Sequence, residues 1–344
     1  MFTQGYTFDD VLLIPKHSNI ESRSQVETSV ELPRGIKLTI PLVSANMKTV
    51  TGVKMAKTIR TLGGLAILHR FGDYKDLCLD FHEANIPIDP VVFPGAVGMS
   101  VGIKPKDIEL VKELYDTRCR IFCVDVAHGD HSSVASFVNE LRIKHCPNAC
   151  IIAGNVVTES GANLLWEAGA DIIKCGVGSG STCSTRIETG NGYPQLSALQ
   201  NVTNGLYRSR KIDGKDMYPM FIADGGIKSA GDCVKALCFA DLVMIGNLFA
   251  GTDEAPGEII TVNGQRYKSY AGSSTHKQNH VEGVVALVPY KGRVNDVVQR
   301  LVEGIKSGCS YQGVSKIQDL TNNPQFVVIS NAGLIESHPH NVKL

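Results

Sequence analysis

The stretch 153-AGNVVTESGANLLWEAGADIIKCG-176 returns in altered form seventy positions later as 223-ADGGIKSAGDCVKALCFADLVMIG-246. Ala153 maps onto Ala223, Gly161 onto Gly231, Ala170 onto Ala240 and Gly176 onto Gly246, all at one offset. Each copy reads as a short apolar strand, a helical stretch and a second apolar strand, so a strand–helix–strand module occurs twice. Strands that are apolar on both faces and alternate with helices belong to a parallel sheet covered on both sides.

The same kind of run recurs on either side of the repeat. It reads 40-IPLVSANM-47, 64-GLAILH-69, 91-VVFPGAV-97, 120-RIFCVDVAH-128, 149-ACIIAGNVV-157, 170-ADIIKCGVG-178, 220-MFIADGGI-227 and 241-DLVMIGNLFAG-251. Between most of these lie stretches of helical periodicity such as 106-KDIELVKELYD-116. Eight strands of this type predict an α/β protein whose sheet closes as a (β/α)8 TIM barrel, a single domain over residues 1–344. Two segments exceed what a barrel needs: 179–218 after strand six and 252–291 after strand eight. The second carries 261-TVNGQRY-267, which reads as a hairpin with an Asn-Gly turn. Long excursions at the carboxyl ends of barrel strands are where such folds keep their chemistry. The end of the chain, 333–344, reads as a mobile tail.

Bulk properties exclude several classes. The 34 basic residues balance the 34 acidic ones, which argues against a broad nucleic-acid surface. No apolar run is long enough to span a bilayer, and the start MFTQGYTFDDVLL lacks the pattern of a signal peptide. Ten cysteines scattered through apparent strands and helices read as reduced thiols of a cytoplasmic protein. The pairs Cys119 with Cys123 and Cys146 with Cys150 lie in or beside apolar runs and read as small buried hydrophobes, not zinc ligands.

The loop 175-CGVGSGSTCSTRIETGNGYPQLSA-198 departs from this pattern, with glycines at 176, 178, 180, 190 and 192. Glycine at that density marks backbone in unusual conformations or in close approach to a ligand. Packing suits Cys175, which sits in strand six. Cys183 is flanked by Ser181, Thr182, Ser184 and Thr185, so it reads best as a nucleophile with hydroxyl neighbours and Arg186 nearby. The glycines also free carbonyls to coordinate a hard monovalent cation. At strands seven and eight, 224-DGG-226 and 246-GN-247 sit where barrels cradle a phosphate, with 272-GSS-274 as further donors. Together they favour a phosphorylated substrate, with Asp224 gripping a neighbouring hydroxyl.

These motifs have a family likeness. The loop 178-GSGSTCSTRIETGNGYPQLSA closely resembles the catalytic loop of the IMP dehydrogenase/GMP reductase family. So do 8-FDDVLLIPKHS-18, 41-PLVSANMKTVT-51, 124-VDVAHGDHS-132, 222-IADGGIKSAGD-232, 250-AGTDEAPGE-258 and 288-VPYKG-292, in collinear order over nearly the whole chain. The resemblance implies a barrel, usually a homotetramer, acting on GMP or IMP. Cys183 would attack C2 of the purine, with Thr185 and Glu282 assisting proton transfer. Asp224 would bind the ribose, with Gly225, Gly226, Gly246, Asn247, Gly272, Ser273, Glu282 and Gly283 completing the substrate site. Ser22, Arg23, Arg70, Asp125, Val126, Ala127, Val177 and Gly178 would meet the nicotinamide cofactor. Gly178, Gly180, Cys183 and Arg186 would hold potassium.

Within the family the features divide. Typical dehydrogenases insert CBS domains after strand two, whereas 64-GLAILHRFGDYKDLCLDF-81 runs on uninterrupted. They also carry a mobile flap with an Arg-Tyr pair that activates water; here only 275-THKQNHV-281 separates 270-YAGSS-274 from Glu282. With 22-SRSQVE-27 and 192-GYPQLSA-198, this favours the reductase branch: GMP and NADPH giving IMP, ammonia and NADP+. Arg70 in place of the usual lysine, Lys48 after SANM, the YAGSS form and 251-GTDEAPGE-258 depart from that branch. Two alternatives are a dehydrogenase without CBS domains, making XMP from IMP with NAD+, and a purine-nucleotide-binding regulator without turnover. The intact Cys-x-Thr pair speaks against the regulator.

Overall fold

A computed structural model describes residues 2–85, 95–205, 207–212, 214–272 and 285–339. Eight parallel strands close into a barrel: β1 (Leu42–Ser44), β2 (Leu65–Leu68), β3 (Ala96–Val101), β4 (Ile121–Asp125), β5 (Cys150–Val156), β6 (Ile172–Cys175), β7 (Met220–Asp224) and β8 (Leu242–Ile245). Val243 of β8 opposite Leu42 of β1 completes the circle. The barrel helices are α1 (Val53–Thr61), α2 (Tyr74–Asn85), α3 (Pro105–Asp116), α4 (Ser132–Glu140), α5 (Glu159–Ala168), α6 (Gln195–Thr203), α7 (Ala230–Leu237) and α8 (Val294–Tyr311), each following the strand of its number. The chain is thus a (β/α)8 barrel.

Burial explains the strand composition. Leu42, Val43, Leu65, Ala66, Ile67, Ile172, Ile173, Leu242 and Val243 are all fully buried, because side chains inside the barrel and under the helices are equally excluded from water. Helix ends follow local chemistry. Thr158 Oγ1 accepts the Gly161 N–H at 3.1 Å to start α5, and Gly169, at φ +114°, ends it. Ser229 Oγ caps α7 by accepting the Asp232 N–H at 3.2 Å.

The internal repeat is real in three dimensions. Ile152 of β5 pairs with Ile172 of β6, and Ile222 of β7 with Leu242 of β8. At the amino ends, the Ile151 N–H donates to Asp171 Oδ2 at 2.9 Å and the Phe221 N–H to Asp241 Oδ2 at 2.8 Å. Their electrostatic settings differ. Asp171 is fully buried and meets Arg34 at 3.7 Å, Arg210 at 3.4 Å and Arg142. Burial pushes the Asp241 carboxyl up to about 6, against the pull of the Phe221 N–H. A carboxyl whose folded value lies above its unfolded one stabilises most in acid and loses that contribution as pH rises through the folded value. Asp241→Asn, neutral throughout, is therefore expected to gain stability relative to the parent between about pH 5 and about pH 8, by ~1.5 kcal/mol. Urea midpoints of both proteins at the two pH values check this; parallel pH dependence would refute it.

Three details correct the sequence reading. The third strand is Ala96–Val101, running four residues past the expected end at Val97, while 91–94 of the expected run lie outside the described residues; its apolar pattern is interrupted by Gly98, where a Cβ would stand 2.8 Å from the Ile121 side chain. The segment after β6 is not wholly surplus, since it contains barrel helix α6 beside the hairpin Arg210–Ile212 with Lys215–Met217. Residues Asn331–Glu336 form a helix, so the expected tail begins inside an ordered element. The excursion after β8 folds as β9 (Ile259–Val262), β10 (Gln265–Ala271) and β11 (Val285–Pro289), antiparallel. Its first turn has Asn263 at φ +50° and Gly264 at φ +76°, the left-handed pair that an Asn-Gly hairpin requires. The side chain of buried Lys268 donates to the Thr252 and Ala255 carbonyls at 3.0 and 2.5 Å, pinning this sheet to the barrel. No helix among the described residues is long and apolar enough to cross a membrane.

Candidate active site

A cavity of about 230 Å³ opens at the carboxyl ends of the strands. It gathers Cys183, Thr185, Asp224, Gly225, Gly226, Gly246, Asn247 and Gly272 with Arg70, Asp125, Val126, Ala127, Val177, Gly178 and Gly180. Ser273, Glu282 and Gly283 lie outside the described residues. Ser22 and Arg23 stand apart from the cavity: they are exposed, at a turn packed beside α8.

The thiol loop is built by close backbone approach. Gly176, at φ +145°, passes so near β7 that a Cβ would lie 2.0 Å from the Asp224 carbonyl oxygen. Gln195 of α6 ties the root of the loop, donating to the Cys175 carbonyl at 2.9 Å and accepting from Ser179 Oγ at 2.8 Å. The Cys183 thiol donates to Thr185 Oγ1 at 3.1 Å, and its N–H to the Gly180 carbonyl at 3.0 Å. Of the ten cysteines, Cys183 alone is exposed. Burial pushes the thiols of Cys119, Cys146 and Cys309 up to about 12. Thiolate chemistry therefore falls to Cys183 by access. The C-x3-C pairs, all buried, serve packing.

Arg186 does not point at the thiol. It lies across Gly178 and Gly192, where a Cβ would come within 2.6 and 2.5 Å of its Cγ, and donates to the Tyr193 carbonyl. Gly180 and Arg186 carbonyls accept the Cys183 and Gly190 N–H groups, and the Arg186 side chain presses on Gly178.

At the cavity floor a charged network spans four successive strands. The Lys174 ammonium of β6 meets Asp125 Oδ1 of β4 at 2.8 Å and Asp224 Oδ2 of β7 at 2.7 Å, with its side chain only 3% exposed. Asn155 of β5 donates to Asp224 Oδ2 at 2.9 Å and to the Gly176 carbonyl at 2.7 Å. Burial alone would raise the Asp125 carboxyl; Lys174, Arg70 and Asn46 outweigh it and hold the group below the usual carboxylate range. Lys174 is raised because its two carboxylates outweigh the cost of burial. Opposite them, the Tyr270 hydroxyl reaches from β10 to Thr182 and lies 3.7 Å from Met47 Sδ; burial pushes it up to about 12. Lys291 donates to the Asn247 side-chain oxygen at 3.3 Å.

Sequence reasoning missed Lys174, Asn155, Gln195 and Tyr270. Lys174 had a signal: a lone charge inside 170-ADIIKCGVG-178 must find partners when its strand is buried. Two buried atoms at the cavity wall have no partner among the described residues, the donor Arg70 Nε and the acceptor Asn155 Oδ1. Such orphaned groups fit a polar ligand such as the nicotinamide end of a dinucleotide.

A closed barrel with an accessible thiol and paired carboxylates at its carboxyl face has the make-up of a (β/α)8 enzyme. Residues 5–340 match the family model described as IMP dehydrogenase / GMP reductase domain. Inosine-5'-monophosphate dehydrogenase of Nitrosopumilus maritimus is 32% identical over 482 aligned positions, covering 100% of this chain and 99% of the relative. That of Borreliella burgdorferi is 34% identical over 403 positions, covering 98% and 97%. A crystal structure of a cysteine-to-alanine variant of GMP reductase from Trypanosoma brucei, in complex with guanosine 5'-monophosphate, is similar with a TM-score of 0.89 and 28% identity, covering 99% of each chain. The chain belongs to the IMP dehydrogenase/GMP reductase family, and is an oxidoreductase of purine nucleotide metabolism.

Proposed function

We propose that the protein is an NADPH-dependent GMP reductase, converting GMP to IMP and ammonia. The observation that carries this reading is the shortness of the excursion. β10 and β11 pair up to Ala271 opposite Val285, and the residues between, 272-GSSTHKQNHVEGV-284, contain neither arginine nor tyrosine. A thio-linked purine formed on Cys183 would thus lack the Arg-Tyr pair expected to activate hydrolytic water, whereas its reduction needs no such base. The absence of an inserted domain agrees: only residues 69–73 separate β2 from α2. The 482 positions aligned with the Nitrosopumilus relative exceed this chain's 344 residues, so that relative carries a long segment without counterpart here.

In this reading Cys183 Sγ bonds to C2 of GMP and the exocyclic amine leaves as ammonia. Thr185, which holds the Cys183 thiol at 3.1 Å, relays the proton with Glu282. NADPH supplies a hydride to C2 when bound. The C–S bond then breaks, releasing IMP and the free thiolate, so capture divides one hard substitution into two easier steps. Asp224 orients the ribose: Lys174 and Asn155 both donate to its Oδ2, leaving Oδ1 for a ligand hydroxyl. Gly225, Gly226, Gly246, Asn247 and Gly272 offer the phosphate cradle. Asp125, Val126, Ala127, Val177, Gly178 and Arg70 form the cofactor wall. Ser22 and Arg23, exposed beside α8, suit a cofactor held by a neighbouring subunit of a homotetramer.

The names of the curated relatives favour a second reading, a dehydrogenase making XMP from IMP. Product analysis separates the two. The reductase yields IMP, NADP+ and ammonia in equal amounts from GMP, read by chromatography and an ammonia assay. XMP from IMP and NAD+, with no ammonia from GMP, would overturn it.

A further inference from the structure

One buried ammonium serves two carboxylates, for Lys174 touches Asp224 at 2.7 Å and Asp125 at 2.8 Å. In the reductase reading Asp224 serves the nucleotide and Asp125 the cofactor. Asp125, Asn155, Lys174 and Asp224 come from the consecutive strands β4 to β7, so their spacing is set by the barrel itself. We propose that Lys174 is a positioning residue that joins the nucleotide and cofactor subsites into one electrostatic unit. This inference rests on the reductase reading of the two subsites.

The physical argument concerns direction as well as charge. With the ammonium and Asn155 both on Oδ2, the Asp224 carboxylate is fixed from behind. Asp125 is fixed likewise through Oδ1 by Lys174 and by Asn46. Without the shared cation, two carboxylates would face one low-dielectric space, and one must take up a proton or swing away. Either outcome disturbs both subsites, although Lys174 is itself nearly sealed from the cavity. A lysine acting only as a strut of the barrel would lower stability without moving ligand affinities.

The test reads equilibrium binding of GMP and of IMP to the full chain by calorimetry, without cofactor, together with KM for NADPH. Lys174→Arg keeps the charge and should stay within about threefold of wild type in both. Lys174→Met should weaken GMP binding and raise KM for NADPH by about tenfold or more each. Because that variant leaves two uncompensated carboxylates and risks misfolding, Lys174→Met with Asp125→Asn is the companion, since it keeps the net charge of the triad. It should still bind GMP about tenfold more weakly, as Asn155 alone then aims Asp224. GMP binding by this double variant within about twofold of wild type would overturn the proposal, as would a Lys174→Met protein that loses only stability. Wild type that binds both nucleotides but turns over neither would sink the reductase reading alone, and the binding results would still decide the role of Lys174. Wild type that binds neither nucleotide would refute both.

Discussion

Replacing Cys183 by alanine is expected to lower turnover by at least about 10⁴-fold while leaving GMP affinity within about threefold. The thiol is the accessible one of ten, and the loop that carries it is fixed by contacts that do not involve Sγ. Gly176 is wedged against the Asp224 carbonyl, Gln195 ties Cys175 to Ser179, and Arg186 clamps Gly178 and Gly192. The loop should therefore keep its shape in the variant, and the loss should fall on chemistry. Thr185→Val, which removes the 3.1 Å partner of the thiol but not the nucleophile, should cost less, about 10²-fold. Iodoacetamide provides an independent check: one adduct on the native protein, protected by GMP, and none on Cys183→Ala. Turnover above about 1% of wild type in Cys183→Ala would exclude covalent capture at this position.

The largest effect on stability is expected at the opposite face. Asp171 is fully buried and holds Arg34 from the hairpin that joins Val30–Leu32 to Ile36–Leu38, Arg142 just beyond α4 and Arg210 of the hairpin before β7. Three outlying segments are thereby fastened to the start of β6. Arg210 also lies 3.6 Å over the Trp166 ring of α5, so its position couples to the helix layer. Asp171→Ala removes the counter-charge from all three arginines and strands the Ile151 N–H, which now donates to Oδ2 at 2.9 Å. Breaking a buried ion cluster from one side costs about 3–5 kcal/mol. Asp171→Asn, which preserves an acceptor for Ile151, should cost less than the alanine variant. Urea denaturation of the two variants measures the difference; equal midpoints for all three proteins would show that the arginines are satisfied elsewhere.

How far the sequence carried the reading depends on what each residue must do. The barrel was legible because eight strands buried on both faces leave a continuous apolar signature, and because Ala153 to Gly176 and Ala223 to Gly246 repeat at one offset that the hydrogen bonds to Asp171 and Asp241 reproduce. The continuation of the third strand to Val101 was missed because Gly98 interrupts its pattern for a packing reason that no periodicity records. Cys183, Asp224 and the glycine turns were legible because they depart from the background of their elements. The Lys174 network was not, because its members lie on four separate strands and only barrel closure makes them neighbours. Arg186 was read as an aid to the thiolate, yet its side chain is spent on holding the loop. Ser22 and Arg23 carried a family resemblance, but they are not among the described residues that line the cavity.

The central claim, reduction of GMP at a Cys183-bound intermediate, is tested most directly at the absorbance band of reduced nicotinamide. Purified protein is given GMP with NADPH in one cuvette and IMP with NAD+ in another, both with potassium. The account predicts loss of absorbance in the first, abolished by Cys183→Ala, and no rise in the second. A rise in the second with a flat trace in the first would contradict it, and would mean that hydrolysis proceeds without the Arg-Tyr pair whose absence supports the reductase.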